Sequence, residues 1–330
     1  MSSSDLLTYD EPLVQRKSSK TIIFDISNLL YRAFYANKSA DDVTAAGMAH
    51  HMALMSLNKY FRQFRPDKVI MAFDRPNNWR KQYTSTDACL SQKPYKGNRR
   101  QTMTPTERAK FEAFVEHLAE FEDMMRVHTS VVCLAEPGLE ADDLIAGVVQ
   151  TYTDDTVIVV SADRDMVQLL KYPNVQLIDP ASGKDRRKEF DRPLNMSKHA
   201  YGGDADLFIF NKCLRGDTGD NVGSAYPRIR TTKILECYED PYKYTNLMNE
   251  TWTDQNGREM RVGDVFKENR LLMDLSAQPP EIRQQIAETI KRETANPGNF
   301  SMFHFLKFCG KYDLKNIAKS IEQFVPLLSK

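Results

Sequence analysis

The chain has 330 residues, 27% of them charged, and its 45 basic residues balance its 45 acidic ones. That length supports a sizeable core and two domains, while a net charge of zero gives no sign of nucleic acid, which only the distribution of charge could reveal. Five scattered cysteines without a CxxC pair point to free thiols in a reducing cytoplasm; no apolar run approaches the roughly 20 residues of a membrane span, and Met1 to Asp5 lacks the basic-then-apolar order of a secretory signal.

Residues 1 to 20 are polar and serine-rich and are expected to form a disordered tail. Asp5-Leu6-Leu7-Thr8-Tyr9 within it is a candidate docking peptide. Thr21-Ile22-Ile23-Phe24-Asp25 reads as a strand with an aspartate at its carboxyl end. Ser27 or Asn28 can cap the following helix, whose apolar side is Leu29, Leu30, Ala33 and Phe34. A second helix pattern spans 45 to 64. Lys68-Val69-Ile70-Met71-Ala72-Phe73-Asp74 then repeats the design of a strand ending in an aspartate.

Between 75 and 110 the charge changes sign. Arg75, Arg80, Lys81, Lys93, Lys96, Arg99, Arg100, Arg108 and Lys110 are opposed only by Asp87 and Glu107, and Trp79, Tyr83 and Tyr95 are interleaved. Cations with aromatics suit a phosphate backbone with exposed bases. Thr84 to Gln92 is polar without period and reads as a mobile loop.

Helical periodicity returns over 105 to 125, and Ser130-Val131-Val132-Cys133-Leu134 reads as a strand. The densest acidic stretch follows. Glu140-Ala141-Asp142-Asp143 opens a helix with Leu144, Ile145, Val148 and Val149 on one side. Val157-Ile158-Val159-Val160 is a β-branched run suited to a strand buried on both faces, and Ser161-Ala162-Asp163-Arg164-Asp165 closes it. A short helix at 166 to 170 and a strand at 175 to 178 complete this half. Three strand-terminal aspartates on alternating strands and helices predict one crevice at the carboxyl edge of a parallel sheet. Carboxylates about 4 Å apart repel by roughly 1 kcal/mol in water and several times that near an interior, so such a cluster must protonate or bind a cation. Hard oxygen donors select Mg²⁺ or Mn²⁺.

The remainder reads as mostly helical. A helix over 206 to 214 leads into Gly216-Asp217-Thr218-Gly219-Asp220-Asn221, with Asp217 and Asp220 on one face. Arg228, Arg230 and Lys233 follow, as in a helix–turn–helix element that holds a phosphate strand. Helix patterns at 281 to 292, 300 to 309 and 313 to 328 carry no chemistry, and Phe303, Phe305, Leu306 and Phe308 are expected in the core.

In this order the motifs resemble the flap endonuclease, or 5′-nuclease, family, and within it the ribonuclease H branch of T-even bacteriophages. They are Asp25 in Phe-Asp-Ile-Ser, Asp74 in Ala-Phe-Asp-Arg, Tyr95-Lys96-Gly97-Asn98-Arg99, Glu140 to Asp143, Ser161 to Asp165, and Gly216 to Asn221. The resemblance covers residues 20 to 235. It implies an α/β fold with a mostly parallel central sheet flanked by helices (PIN-like) over 21–190, a basic arch over 75–110, and a smaller helical DNA-binding domain with the helix–turn–helix over 191–330.

The resemblance also implies a 5′-3′ exonuclease, ribonuclease H or flap endonuclease with two Mg²⁺ ions, which Mn²⁺ can replace. Asp25, Asp74, Glu140, Asp142, Asp163, Asp165, Asp217 and Asp220 would serve as ligands, with Asp143 behind them. Lys96, Arg99 and Asp165 would be catalytic. Arg80, Lys81, Tyr95, Lys96, Arg99, Arg100, Arg228, Arg230 and Lys233 would contact nucleic acid, with Tyr95 stacking on a base. DNA and RNA–DNA hybrid are the implied partners, with a phage single-stranded DNA-binding protein and a sliding clamp, in a host cytoplasm, for a chain expected to act as a monomer. The sequence departs from the family where many members carry a Gly-Ile-Gly hairpin that holds a DNA phosphate, often with K⁺. Here the stretch reads Arg228-Ile229-Arg230. The spacing from Trp79 to Tyr95 is also longer than the phage form leads one to expect. Two rivals remain. An aspartyl phosphatase needs a second acid where Ser27 stands, and a silent DNA-binding replication scaffold would not need the full acid set.

Overall fold

The computed structural model describes residues 18–36, 40–101, 103–193 and 200–330. The tail with its candidate docking peptide lies outside them. Strand β1 (Lys20–Asp25) runs directly into helix α1 (Ile26–Ala36). Ser27 and Asn28, expected as caps, are therefore inside the helix, and the Asp25 carboxylate accepts the Asn28 N–H at 3.2 Å in their place. Helix α2 (Asp42–Phe64) is capped by the Asp41 side chain. It leads to β2 (Lys68–Ala72), two short helices, α3 (Trp79–Thr84) and α4 (Gly97–Gln101), and the long α5 (Pro105–His128), which opens on a Thr104–Glu107 capping box. Then come β3 (Val132–Leu134), α6 (Ala141–Thr151), β4 (Thr156–Val160), a 3₁₀ turn over Asp165–Lys171, β5 (Val175–Ile178) and α7 (Arg187–Phe190).

All five strands are parallel, in the order β3-β2-β1-β4-β5. The chain builds outward from β1 to β3, then returns to the other side of β1. The β1/β4 boundary is thus a topological switch point, where open α/β sheets leave a crevice beyond the strand ends. Alternate residues feed two buried layers. Ile23, Ile70, Val157, Val159 and Leu177 face one, and Ile22, Phe24, Met71, Ile158 and Val160 the other. This is why the strands read as unbroken apolar runs.

The rest of the chain comprises α8 (Ala205–Arg215), α9 (Thr231–Glu239), α10 (Pro241–Asn249), an antiparallel hairpin of β6 (Thr251–Thr253) and β7 (Glu259–Arg261), α11 (Val262–Met273), α12 (Pro280–Ala295), α13 (Met302–Lys311), α14 (Lys315–Lys319) and α15 (Val325–Leu328). The hairpin was not legible from periodicity. Residues 191–330, expected as a domain of their own, share both cores with the sheet. Phe208, Phe266 and Ile286 join the first layer, while Phe305, Phe324 and Leu327 join the second. On α13, Phe305, Phe308 and Cys309 turn inward, but Phe303 is 72% exposed and Leu306 37%. The expectation that all four apolar residues are core is corrected by helical geometry, since positions two residues before and one after Phe305 face away.

Thr84 to Gln92, expected as a mobile loop, is pinned. Leu90 and Ser91 donate their backbone N–H groups to the Glu268 carboxylate at 2.6 and 3.1 Å, and both Cys89 and Glu268 are buried.

Candidate metal centre

Strand register decides where the acids fall. Asp25 lies opposite Ala72 of β2, and Phe24 opposite Val160 of β4. The carboxyl ends of the three strands therefore lie level, and Asp25, Asp74 and Asp163 emerge beside one another. Helix α6 points its N-terminus at the same place, so that Asp142 joins them. The Ala141 N–H donates to Asp74 at 2.9 Å. Ser161 donates to Asp25 at 2.7 Å and receives the Asp163 N–H at 2.9 Å, while Ser27 accepts the Asp74 N–H at 2.9 Å.

These acids are strained electrostatically. Burial pushes the Asp25 carboxyl up to about 7, with repulsion from Asp74 and Asp163 adding to it. Asp142 is raised well above the usual carboxylate range by burial, then by Asp163 and Asp25. Asp74 stands at the mouth of the crevice with solvent on one side, yet partial desolvation and the nearby Glu140 raise it too. Among the described residues, no ion pair reaches Asp25, Asp74, Asp142 or Asp163. Buried carboxylates without a counter-charge are costly, and their hard oxygens fit a divalent ion such as Mg²⁺.

A second group is differently arranged. Asp165, Asp217 and Asp220 bring oxygens within 4.8 Å of one another. The turn after α8 holds the latter two: Gly216 adopts φ +74°, and a Cβ there would meet the Val222 carbonyl oxygen at 2.5 Å, so only glycine fits. Here cations are present. Lys212 pairs with Asp165 and, at 3.0 Å, with Asp217; Arg99 pairs with Asp220 at 2.7 Å. Burial raises Asp217, but the Lys212 ammonium together with the Asp220 and Gly219 N–H groups outweighs it and leaves that carboxyl low. Asp165 is raised, because burial exceeds the help from Lys212.

The basic segment does not stand free as an arch of open cations. Lys96 donates to Glu140 at 2.7 Å, its own N–H reaches the Asp220 carbonyl at 2.8 Å, and Arg99 Nε donates to the Gly219 carbonyl at 3.2 Å. Two expected nucleic-acid contacts are corrected. Arg80 is 2% exposed, locked in a bidentate pair with Asp143 at 2.8 Å and in a third bond to Glu140. Tyr95 is 5% exposed, with its hydroxyl on Asp220 at 3.0 Å, so its ring has no face for a base. Both read as basic-aromatic signals because sequence cannot separate a cation that neutralises buried acids from one that meets phosphate. Asp143 takes Trp79 Nε1 and Gln278 Nε2 as well as Arg80 and is wholly buried, which makes it a structural anchor behind the crevice.

Lys81 is half-buried on α3. Arg228 and Arg230 are exposed beside the α9 N-terminus, and no ion pair holds them among the described residues. Lys233 is tied to Glu250 at 2.8 Å and to the Tyr226 hydroxyl at 3.0 Å. The Arg100 side chain lies outside the described residues. Sequence reading missed Lys212 and Gln278, and gave Ser27 the role of a helix cap rather than that of acceptor for the Asp74 N–H. Of the two missed residues only Lys212 left a signal, a lysine about one and a half helical turns ahead of an aspartate on a helix aimed at the acids.

Residues 20–199 match the family model of the 5′-3′ exonuclease N-terminal, resolvase-like domain. The chain belongs to the 5′-3′ exonuclease family. This nuclease is 22% identical over 315 residues to the ribonuclease H of Enterobacteria phage T4, a match covering 92% of the chain and 95% of the phage protein. It is 29% identical over 209 residues to DNA polymerase I of Caldicellulosiruptor bescii, but spans only 22% of that protein's length. Among solved structures, a bacteriophage T5 flap endonuclease complex with DNA and metal ions superposes with a TM-score of 0.60 at 18% identity, over 84% of this chain and all of that one. The T5 5′-exonuclease with zinc bound gives 0.58 at 19% identity, over 83% and 99%. The expected fold, a mostly parallel sheet flanked by helices, is thereby established.

Proposed function

We propose that this nuclease hydrolyses phosphodiesters near the 5′ ends of RNA–DNA hybrid and duplex DNA, using two divalent ions, and that it removes RNA primers during lagging-strand replication. The observation that carries this reading is the convergence of Asp25, Asp74, Asp142 and Asp163 at the switch point, the first three raised by burial and by neighbouring acids, with no ion pair to any of the four among the described residues. Asp25, Asp74, Glu140, Asp142, Asp163 and Asp165, with Asp217 and Asp220, would hold Mg²⁺ or Mn²⁺, which supplies a water of lowered pKa and positive charge at the leaving oxygen.

The chain's own residues do the rest. Ser161 and Ser27 fix the rotamers of Asp25 and the Asp74 backbone. Lys96 and Arg99, now held by Glu140 and Asp220, lie where they can exchange a carboxylate for the scissile phosphate and stabilise its charge. Arg228 and Arg230 can hold the duplex backbone; such contacts position without reading sequence. The near full-length match to a phage ribonuclease H supports the hybrid substrate, and the T5 neighbours described with DNA and with metal ions support the rest. A phage single-stranded DNA-binding protein and a sliding clamp are proposed as partners on the same ground.

The test is cleavage of a 5′-labelled nicked duplex carrying an RNA primer and, separately, a 5′ flap, beside Asp165→Asn. Short 5′-phosphate products, lost in the variant, are expected. Tight, salt-sensitive binding without cleavage would favour the silent scaffold.

A further inference from the structure

The two acid groups differ in one respect that the proposed chemistry does not explain. Among the described residues the first holds no ion pair, and the Lys96 ammonium, bound to Glu140, acts on Asp74 and Asp142 only from beyond pairing distance. The second already contains a counter-ion, supplied by the chain. Lys212 projects from α8 with its side chain 11% exposed, and its Nζ pairs with Asp165 and Asp217 together. Asp165, Asp217 and Asp220 are the three acids whose oxygens converge, so the ammonium occupies two of the three donors that a divalent ion would need there. Asp220 is taken as well, by Arg99 at 2.7 Å and the Tyr95 hydroxyl at 3.0 Å.

The residue type matters. An arginine fork would bind these carboxylates in fixed bidentate geometry. A lysine is a point charge on a four-carbon stem and can leave by rotation about its own bonds. A divalent ion and the ammonium carry like charge and repel strongly at contact distances, so the two compete for this triad.

We propose that Lys212 is a tethered counter-ion of the second metal position: it neutralises Asp165 and Asp217 in the metal-free protein, must withdraw when a divalent ion binds there, and so sets that position weaker than the first. This rests on the metal-dependent reading above. It makes Lys212 a positioning residue whose effect falls on the occupancy of one position rather than on the whole centre.

The experiment is calorimetric titration of the full chain with Ca²⁺, an oxygen-seeking ion, at low ionic strength, beside Lys212→Met and Lys212→Gln. The native chain should bind in a tight and a weak phase. In both variants the weak phase should tighten at least tenfold, with the tight phase within threefold of native. A weak phase that is unchanged or weakened would overturn the proposal and make Lys212 an organiser of its carboxylates. Should the variants fail to fold without metal, the native chain supplies a second readout. Acylation of Lys212 by an amine-reactive ester, followed by mass spectrometry, should quicken several-fold when Ca²⁺ saturates the chain, and an unchanged rate would overturn the proposal. If the native chain takes up no Ca²⁺ in either phase, the metal reading itself fails and the proposal with it.

Discussion

At the scale of single residues, function and stability pull in opposite directions. Asp25 has its carboxyl raised to about 7 against an unfolded value near 3.8. A carboxyl raised on folding costs stability above its folded pKa, and the cost is relieved as pH falls through 7 toward 4. Asparagine keeps the shape and the acceptor for Asn28 but carries no charge. In EDTA at pH 8, Asp25→Asn should therefore be more stable than the native chain, by on the order of 2–4 kcal/mol, as read by urea denaturation. Equal or lower stability would show that Asp25 is not under repulsion.

His50 behaves in the opposite sense. It stacks on Phe121 at 5.2 Å and meets Tyr312 edge-on at 4.3 Å, and burial pushes its pKa down to about 3. The unfolded chain takes up a proton near pH 6.5 that the folded ring refuses. Its stability contribution is thus intact above pH 6.5 and is lost as pH falls. The difference in stability between the native chain and His50→Leu should change by about 2 kcal/mol from pH 8 to pH 5. Because His117 and Glu120 face the same ring cluster, the series is repeated with His117→Gln; a flat difference would contradict the assignment.

At the scale of elements, α6 carries the centre, because its N-terminus delivers Glu140 and Asp142 while its body must lie close to α12. Gly147 makes that approach possible. A Cβ there would fall 2.1 Å from Ile286 Cγ2. Gly147→Ala should cost about 1–3 kcal/mol through overpacking, despite the better helix propensity of alanine, and the same change should cost less in an Ile286→Ala background, which lacks the clashing methyl. A neutral or stabilising Gly147→Ala would show that α12 yields freely. The strands and their terminal aspartates were legible in sequence, since a two-residue period lost to continuous β-branched runs has few other readings. The fate of the basic segment was not. Arg80 and Tyr95 turn inward because Asp143, Glu140 and Asp220 are waiting there, and those contacts span 60 to 125 positions of chain. The pinning of Leu90 and Ser91 by Glu268, 177 to 178 positions away, was invisible for the same reason.

At the scale of the whole molecule, the sheet fixes the acids and the C-terminal helices close around it. Helices beyond residue 190, where the resemblance implies a second domain, lie against the first: α12 packs on α6 and β3 while α13 packs on α5. No helix among the described residues is long and apolar enough to cross a membrane. The acid constellation was readable because its spacing follows from the fold. The partners of each acid were not, because an ion pair needs a third dimension. The most direct test of the central claim is Mg²⁺-dependent cleavage of a 5′-flapped duplex by the native chain and Asp25→Asn under single-turnover conditions. The account predicts cleavage that saturates with Mg²⁺, vanishes in EDTA and falls at least a hundredfold in the variant. Cleavage that survives EDTA, or a variant as active as the native chain, would contradict it.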